Sequence, residues 1–418
     1  MEEGSAGTRW AMLALCFGVR IGLGFQFQTV GSVADPLAGA LGLGFAEIGT
    51  LIGLFMVPGL VLSIPAGVAG RRFSDRSLIA AGMLTMALGG AVAALADGFA
   101  LIAVGRLVCG AGFVVGTIFL TKAIADWFAG RELATAMAIL VMSWPLGIAM
   151  GQVAHGWLAR LFDWRVPFMV ASLYCLIGAA AMLVAYRAPG LVEQGPVAKG
   201  PAKGATASPA PSLGRREWIL TLVAALVWAA FNAGYIVYLS FAPQVLTAHG
   251  IGPIDAASTI SLASWVMIFS GTLCGQIADR TGRSDLILAA CLGCAMLSLA
   301  LLPQVAWSVP LALLFGLVGM APAGLIMALT GEAMAPAQRP VGMGIFFSAY
   351  FLLTAPAPAI AGWLYDRTGD PFLPILLAVA FFTLTLAANI GFRWAQRRMP
   401  QAAGTLGAGS GFRPQQGL

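Results

Sequence analysis

Long apolar runs, separated by short charged, proline- or glycine-bearing breaks, fill most of this 418-residue chain. They predict spans near 10–34, 46–69, 77–96, 99–121, 133–158 and 166–186, then 218–246, 255–278, 286–304, 308–332, 341–364 and 373–396. Each run supplies about the ~20 residues that an α-helix needs to cross a hydrocarbon core ~30 Å thick. Only helices and closed barrels satisfy their own backbone polar groups in lipid, and runs without period-two alternation exclude a barrel. The fold class is therefore all-α integral membrane, with twelve transmembrane helices in two six-helix halves. Residues 188–216 contain GPVAKGPAKGATASPAPS, too poor in large apolar side chains to pack or span. The expected organisation is an N-terminal half over 1–187, a flexible cytoplasmic linker over 188–216, a C-terminal half over 217–397 and a cytoplasmic tail over 398–418.

Composition agrees with the pattern. The chain is 59% hydrophobic and 10% charged, with a mean hydropathy of +0.89, whereas soluble domains carry roughly 25% charge. Placed on the twelve spans, 18 of the 23 Lys and Arg residues fall on one face, and only Arg160, Arg165 and Arg367 fall on the other. Basic residues resist translocation, so the rich face is expected to be cytoplasmic, with both termini on it. The net charge of +6 follows from this topology and from anionic lipid, so nucleic acid is excluded as a partner. Glu2 and Glu3 replace the basic segment of a removable signal peptide, so the first span is expected to be retained in the plasma (inner) membrane.

Two short echoes relate the halves. Residues 275–283 read G-Q-I-A-D-R-T-G-R in the gap after the eighth span, and residues 67–76 read G-V-A-G-R-R-F-S-D-R after the second. Gly-Trp-Leu ends both the fifth span, at Gly156, and the eleventh, at Gly362. The two pairs are offset by nearly the same distance, which implies a parallel repeat about an axis along the membrane normal.

In these turns the chain resembles the major facilitator superfamily over essentially its whole length. The family's loop signature G-x-x-x-D-R-x-G-R is matched by Gly275, Asp279, Arg280, Gly282 and Arg283. In the first-half copy Gly67, Arg71, Asp75 and Arg76 correspond only in part, because Gly70 stands where the family has Asp. Glycines permit the tight turn, the arginines stay cytoplasmic, and Asp279 can bond an Arg or a helix N-terminus as a latch between rocking halves. Gly105-Arg106-Leu107 in the fourth span adds to the likeness. The resemblance implies alternating access, a cavity lined by the first, fourth, seventh and tenth helices, and a small-molecule substrate with a coupling proton. Its overall look resembles the branch containing cyanate and nitroimidazole transporters. A monomer in contact with membrane lipid and without cofactor is expected.

Substrate class is read from polar groups inside the bilayer, where an Arg costs at least ~2.5–3.5 kcal/mol at the helix centre and normally faces a cavity. Arg20 lies about eleven residues into the first span, roughly 16 Å deep. Arg106 lies nearer the far face, at snorkelling depth, and Asn232 is close to mid-membrane. Gln28 lies 80° around the helix from Arg20, against 120° for Gln26, at 100° per residue. Arg20, Gln28, Arg106 and Asn232 are therefore the candidate substrate-binding residues; Trp144, Tyr235, Trp265 and Tyr350 are further cavity candidates. None of the 17 acids stands at mid-membrane, so the counter-ion of these cations is expected to be a small anionic solute. The alternatives are a proton-coupled efflux pump for amphiphilic compounds and a transport-dead sensor or scaffold. Enzymatic function is excluded: no phosphate-binding loop exists, His155 and His249 stand apart, and Cys291-x-x-Cys294 lies in an apolar helix without a second ligand pair.

Overall fold

A computed structural model describes residues 2–70, 72–128, 132–188, 213–334 and 339–399. Arg71, most of the expected linker and the tail from residue 400 lie outside the described residues. Among the described residues the structure is helical throughout. The first group of helices is α1 (Glu2–Ser32), α2 (Ala34–Leu41), α3 (Phe45–Leu54), α4 (Val57–Ala69), α5 (Asp75–Ala94), α6 (Phe99–Trp127), α7 (Leu133–Leu161) and α8 (Arg165–Ala185). The second is α9 (Arg215–Ala248), α10 (Pro253–Thr281), α11 (Ser284–Ala300), α12 (Ser308–Leu314), α13 (Ala323–Ala333), α14 (Arg339–Thr354), α15 (Ala357–Thr368) and α16 (Leu373–Arg398). Eleven stretches are long and apolar enough to cross a membrane, and α11, at 17 residues, is the shorter twelfth.

Several expected spans are broken, for local reasons. Pro58 has no N–H to return to the Leu54 carbonyl, and the second span parts between α3 and α4. Pro356 and Pro358 divide the eleventh span into α14 and α15, whereas Pro65 and Pro145 lie within continuous helices. The tenth span was expected to be one helix. Instead α12 runs into a π-helical stretch, Phe315–Gly319, and restarts beyond Pro322 as α13. Gly316 there lies against the Ala263 backbone of α10, an approach that a side chain would block. The short helix α2 follows the first span at the face away from the basic turns, here called the far face.

Packing depends on small residues, as expected where lipid leaves no hydrophobic drive between helices. Within the first group, Gly89 of α5 meets the Gly105 carbonyl of α6, and Gly24 of α1 meets the Trp144 carbonyl of α7. The two groups meet along α3–α15, α4–α14 and α7–α10. Near the far face this seam is backbone on backbone: Gly49 lies against the Pro358 carbonyl, Gly53 against that of Ala355 and Gly362 against that of Phe45.

A methyl group added at Gly49 would collide with the Pro358 carbonyl, whereas one at Gly275 enters open space. Gly49→Ala should therefore lower stability by about 1–3 kcal/mol. Gly275→Ala should be neutral or stabilising by up to about 1 kcal/mol. Thermal unfolding of the two purified variants checks the difference.

Candidate solute-binding site

The side chain most heavily committed inside the bundle is Arg106 of α6, only 1% exposed. Its Nε donates to the Leu51 carbonyl at 3.0 Å, Nη1 to the Gln26 carbonyl at 3.1 Å and to Thr29 Oγ1 at 3.3 Å, and Nη2 to the Phe27 carbonyl at 3.1 Å. The guanidinium lies 4.5 Å from the Phe55 ring centroid. A planar fork with five donors suits this task, because each edge finds a different carbonyl. Arg106 thus points inward and ties α6 to α1 and α3, rather than snorkelling to the far face.

Arg20 of α1 differs. It is half-buried, and its Nη1 donates to the Leu140 carbonyl of α7 at 2.8 Å and to Ser143 Oγ at 3.4 Å. Its Nε has no partner. No carboxylate pairs with it among the described residues. Asn232 of α9 is also half-buried and bonds only within its own helix, from Nδ2 to the Trp228 carbonyl at 2.8 Å. Beside it the Trp228 ring faces Phe231 and Tyr350, with centroids 6.2 and 6.4 Å away. On α7, Trp144 follows Ser143 and touches the rings of Phe27 and Phe113.

Gln28 is not gathered beside Arg20. Eight residues of helix place it about 12 Å further along α1, where it lines a cavity near the far face. The Arg106 clamp, on the carbonyls of Gln26 and Phe27, stands between the two. Of the further cavity candidates, Tyr235 is buried and hydrogen-bonded to Ser264 at 2.7 Å, and Trp265 is exposed at the surface of the bundle. His155 is buried, with Nε2 2.9 Å from the Phe25 carbonyl, while His249 bonds the Val245 carbonyl of its own helix.

The basic turns carry their charge outward. Gly282 has φ of +63° and ends α10, a conformation that favours glycine. Arg76, Arg280 and Arg283 are exposed, and Gly67 and Gly275 lie inside helices. The Asp279 side chain, like Arg71, lies outside the described residues. Asp75 opens α5 and pairs with Lys122 at 2.8 Å, and Lys122 pairs also with Asp126. Among the described residues neither turn bonds to the opposite group of helices.

Polar contacts between the groups lie instead at the far face, where the sequence offered no motif. Asp366, near the end of α15, accepts from the backbone N–H groups of Phe45 at 2.8 Å and Ala46 at 2.7 Å, at the start of α3. A carboxylate there satisfies orphan helix donors and opposes the positive end of the helix dipole. Gln244 of α9 donates to Asp35 Oδ1 of α2 at 3.0 Å. Desolvation raises the Asp35 carboxyl above its ordinary value, partly offset by this hydrogen bond.

Removing the fork of Arg106 deletes its hydrogen bonds to carbonyls on two other helices. Arg106→Gln should cost about 1–3 kcal/mol for the hydrogen bonds lost, and Arg106→Lys should not recover it, because an ammonium cannot reach three carbonyls at once. Thermal unfolding of both variants in detergent measures the loss.

The geometry has counterparts among known proteins. The chain is 23% identical to the hexuronate transporter of Bacillus subtilis over 270 residues, covering 62% of this chain and 63% of that one. The chain thus spans less than two thirds of that relative. It is 25% identical to a putative tartrate transporter of Agrobacterium vitis over 404 residues, covering 88% and 86%. In fold it resembles a bacterial homologue of the human lysosomal transporter Spinster, solved in an inward-facing, unoccupied conformation, with a TM-score of 0.72 at 18% identity over 93% of this chain and 97% of that one. The family model of the Major Facilitator Superfamily matches residues 16–358, and the chain belongs to that superfamily.

Proposed function

We propose that this protein is a secondary transporter that moves a small carboxylate-bearing anion by alternating access, with Arg20 as the principal contact. The observation that carries the proposal is the state of Arg20: a guanidinium deep in the first span, held on one edge by α7, with an unpartnered Nε and no carboxylate beside it. A buried cation of this kind lowers its cost by pairing with an incoming anion. The names of the two relatives, hexuronate and tartrate transporters, support a hydroxylated carboxylate over the cyanate and nitroimidazole branch. Asn232, Trp144, Trp228 and Tyr350 supply a half-buried polar group and aromatic faces for the remainder of the solute.

The distribution of contacts between the groups supports alternating access. Backbone contacts and the Asp366 cap join α3 to α15 at the far face, while the ion pairs of the basic face stay within each group. With the basic face cytoplasmic by the charge rule, the α3–α15 seam lies toward the outer side of the plasma (inner) membrane.

In proteoliposomes, Arg20→Gln should reduce uptake of galacturonate or tartrate at least tenfold at equal insertion, the equivalent of losing a charge-assisted hydrogen bond of about 1.5–3 kcal/mol. Arg20→Lys should retain an intermediate rate, since it keeps the charge and loses the fork. Uptake by Arg20→Gln at the unmodified rate would overturn the assignment.

A further inference from the structure

A cavity of about 600 Å³ opens near the far face between α1, α7, α9 and α10. Its volume is that of a small-molecule pocket. Three amides line it, one from each of three helices: Gln28 of α1, Gln152 of α7 and Gln244 of α9. Gln152 is 1% exposed, its Nε2 donates to the Leu239 carbonyl at 3.5 Å, and its Oε1 has no partner. A buried acceptor left unmet costs about 1–3 kcal/mol, which a donor on a bound molecule would offset. Arg160, in the last turn of α7, also lines the cavity and has no carboxylate partner among the described residues. The two acids present, Asp35 and Asp255, stand in the first turns of α2 and α10, where the helix N-termini oppose their charge. The chamber therefore offers one unpaired cation and several hydrogen-bond acceptors.

We propose that this chamber is a second solute site that takes a polyhydroxylated carboxylate, with the carboxylate on Arg160 and the hydroxyls on Gln28, Gln152 and Gln244. The proposal rests on the anion assignment above and adds a place where the same solute pauses on the other side of the Arg106 clamp. Hydroxyls suit this lining because one can donate to the unpartnered Gln152 Oε1, whereas the Nε2 groups of Gln152 and Gln244 already donate to Leu239 and Asp35. A carboxylate without hydroxyls would leave Gln152 Oε1 unmet.

Isothermal titration of the purified full chain with galacturonate tests this, using Arg20→Gln to silence the first site. Arg20→Gln should still bind galacturonate. Adding Gln152→Leu should weaken that binding at least tenfold, and so should adding Arg160→Gln, an exposed position where folding is not at issue. Succinate, which lacks hydroxyls, should bind Arg20→Gln at least tenfold more weakly than galacturonate. If Arg20→Gln alone abolishes all binding, the second site is overturned and the Arg20 assignment stands. If Arg20→Gln changes nothing while Gln152→Leu abolishes binding, the chamber stands and the Arg20 assignment fails. Equal affinities in the single and double variants, or binding of ethanolamine in place of galacturonate, overturn the chamber proposal. Absence of galacturonate binding to the unmodified chain overturns both.

Discussion

In hydrocarbon a donor or acceptor without a partner has no water to turn to, and the interior of this bundle is arranged around the buried cation that meets that condition most completely. Arg106 meets it with carbonyls from α1 and α3 and with the face of Phe55. It holds α1 at the Gln26 and Phe27 carbonyls, close to the level of Gln28. The clamp fixes α1 against α3 and α6 along a stretch that has the half-free Arg20 toward the basic face and the amide-lined chamber toward the far face. The packing of three helices is thereby tied to one side chain.

The spans were legible because lipid imposes one rule on every crossing segment, and that rule writes long apolar runs into the sequence. What was not legible depended on partners distant in the chain. Angular position on a helical wheel placed Gln28 with Arg20, but axial rise separates them, and the wheel carries no information about the α6 side chain inserted between. Arg106 looked equally able to bind a solute or a carbonyl; the outcome was decided by the carbonyls of Gln26, Phe27 and Leu51, which carry no mark in sequence. Proline marks the breaks in the second and eleventh spans, whereas the π stretch at Phe315–Gly319 coincides with the close approach of Gly316 to α10. Asp366 read as a residue at a span end, and its bond to α3 joins positions more than 300 residues apart.

Charges on the basic face follow a different logic from those on the far face. Lys122 bridges Asp75 and Asp126 within the first group, and Arg393 joins Asp285 and Glu332 within the second. Each group ties its own helix ends together and leaves Arg76, Arg280 and Arg283 exposed. These arginines are free to meet headgroups, consistent with the topological role of the repeated turn, and each group keeps its own shape as a unit. At the far face Arg165 also pairs within the first group, with Asp97 and Asp163, but Asp366 and Gln244 make polar contacts that cross from one group to the other.

That crossing seam runs through Gly49, Gly53 and Gly362, each set against a carbonyl of the other group, beside the packed rings of Phe45 and Tyr365. At those three contacts the glycine has no rotamer with which to absorb a displacement of the facing carbonyl. Close-packed interfaces of this kind switch between discrete arrangements rather than deforming continuously. The absence of three side chains therefore gives this seam a digital character: each contact is either in register or lost, with nothing between.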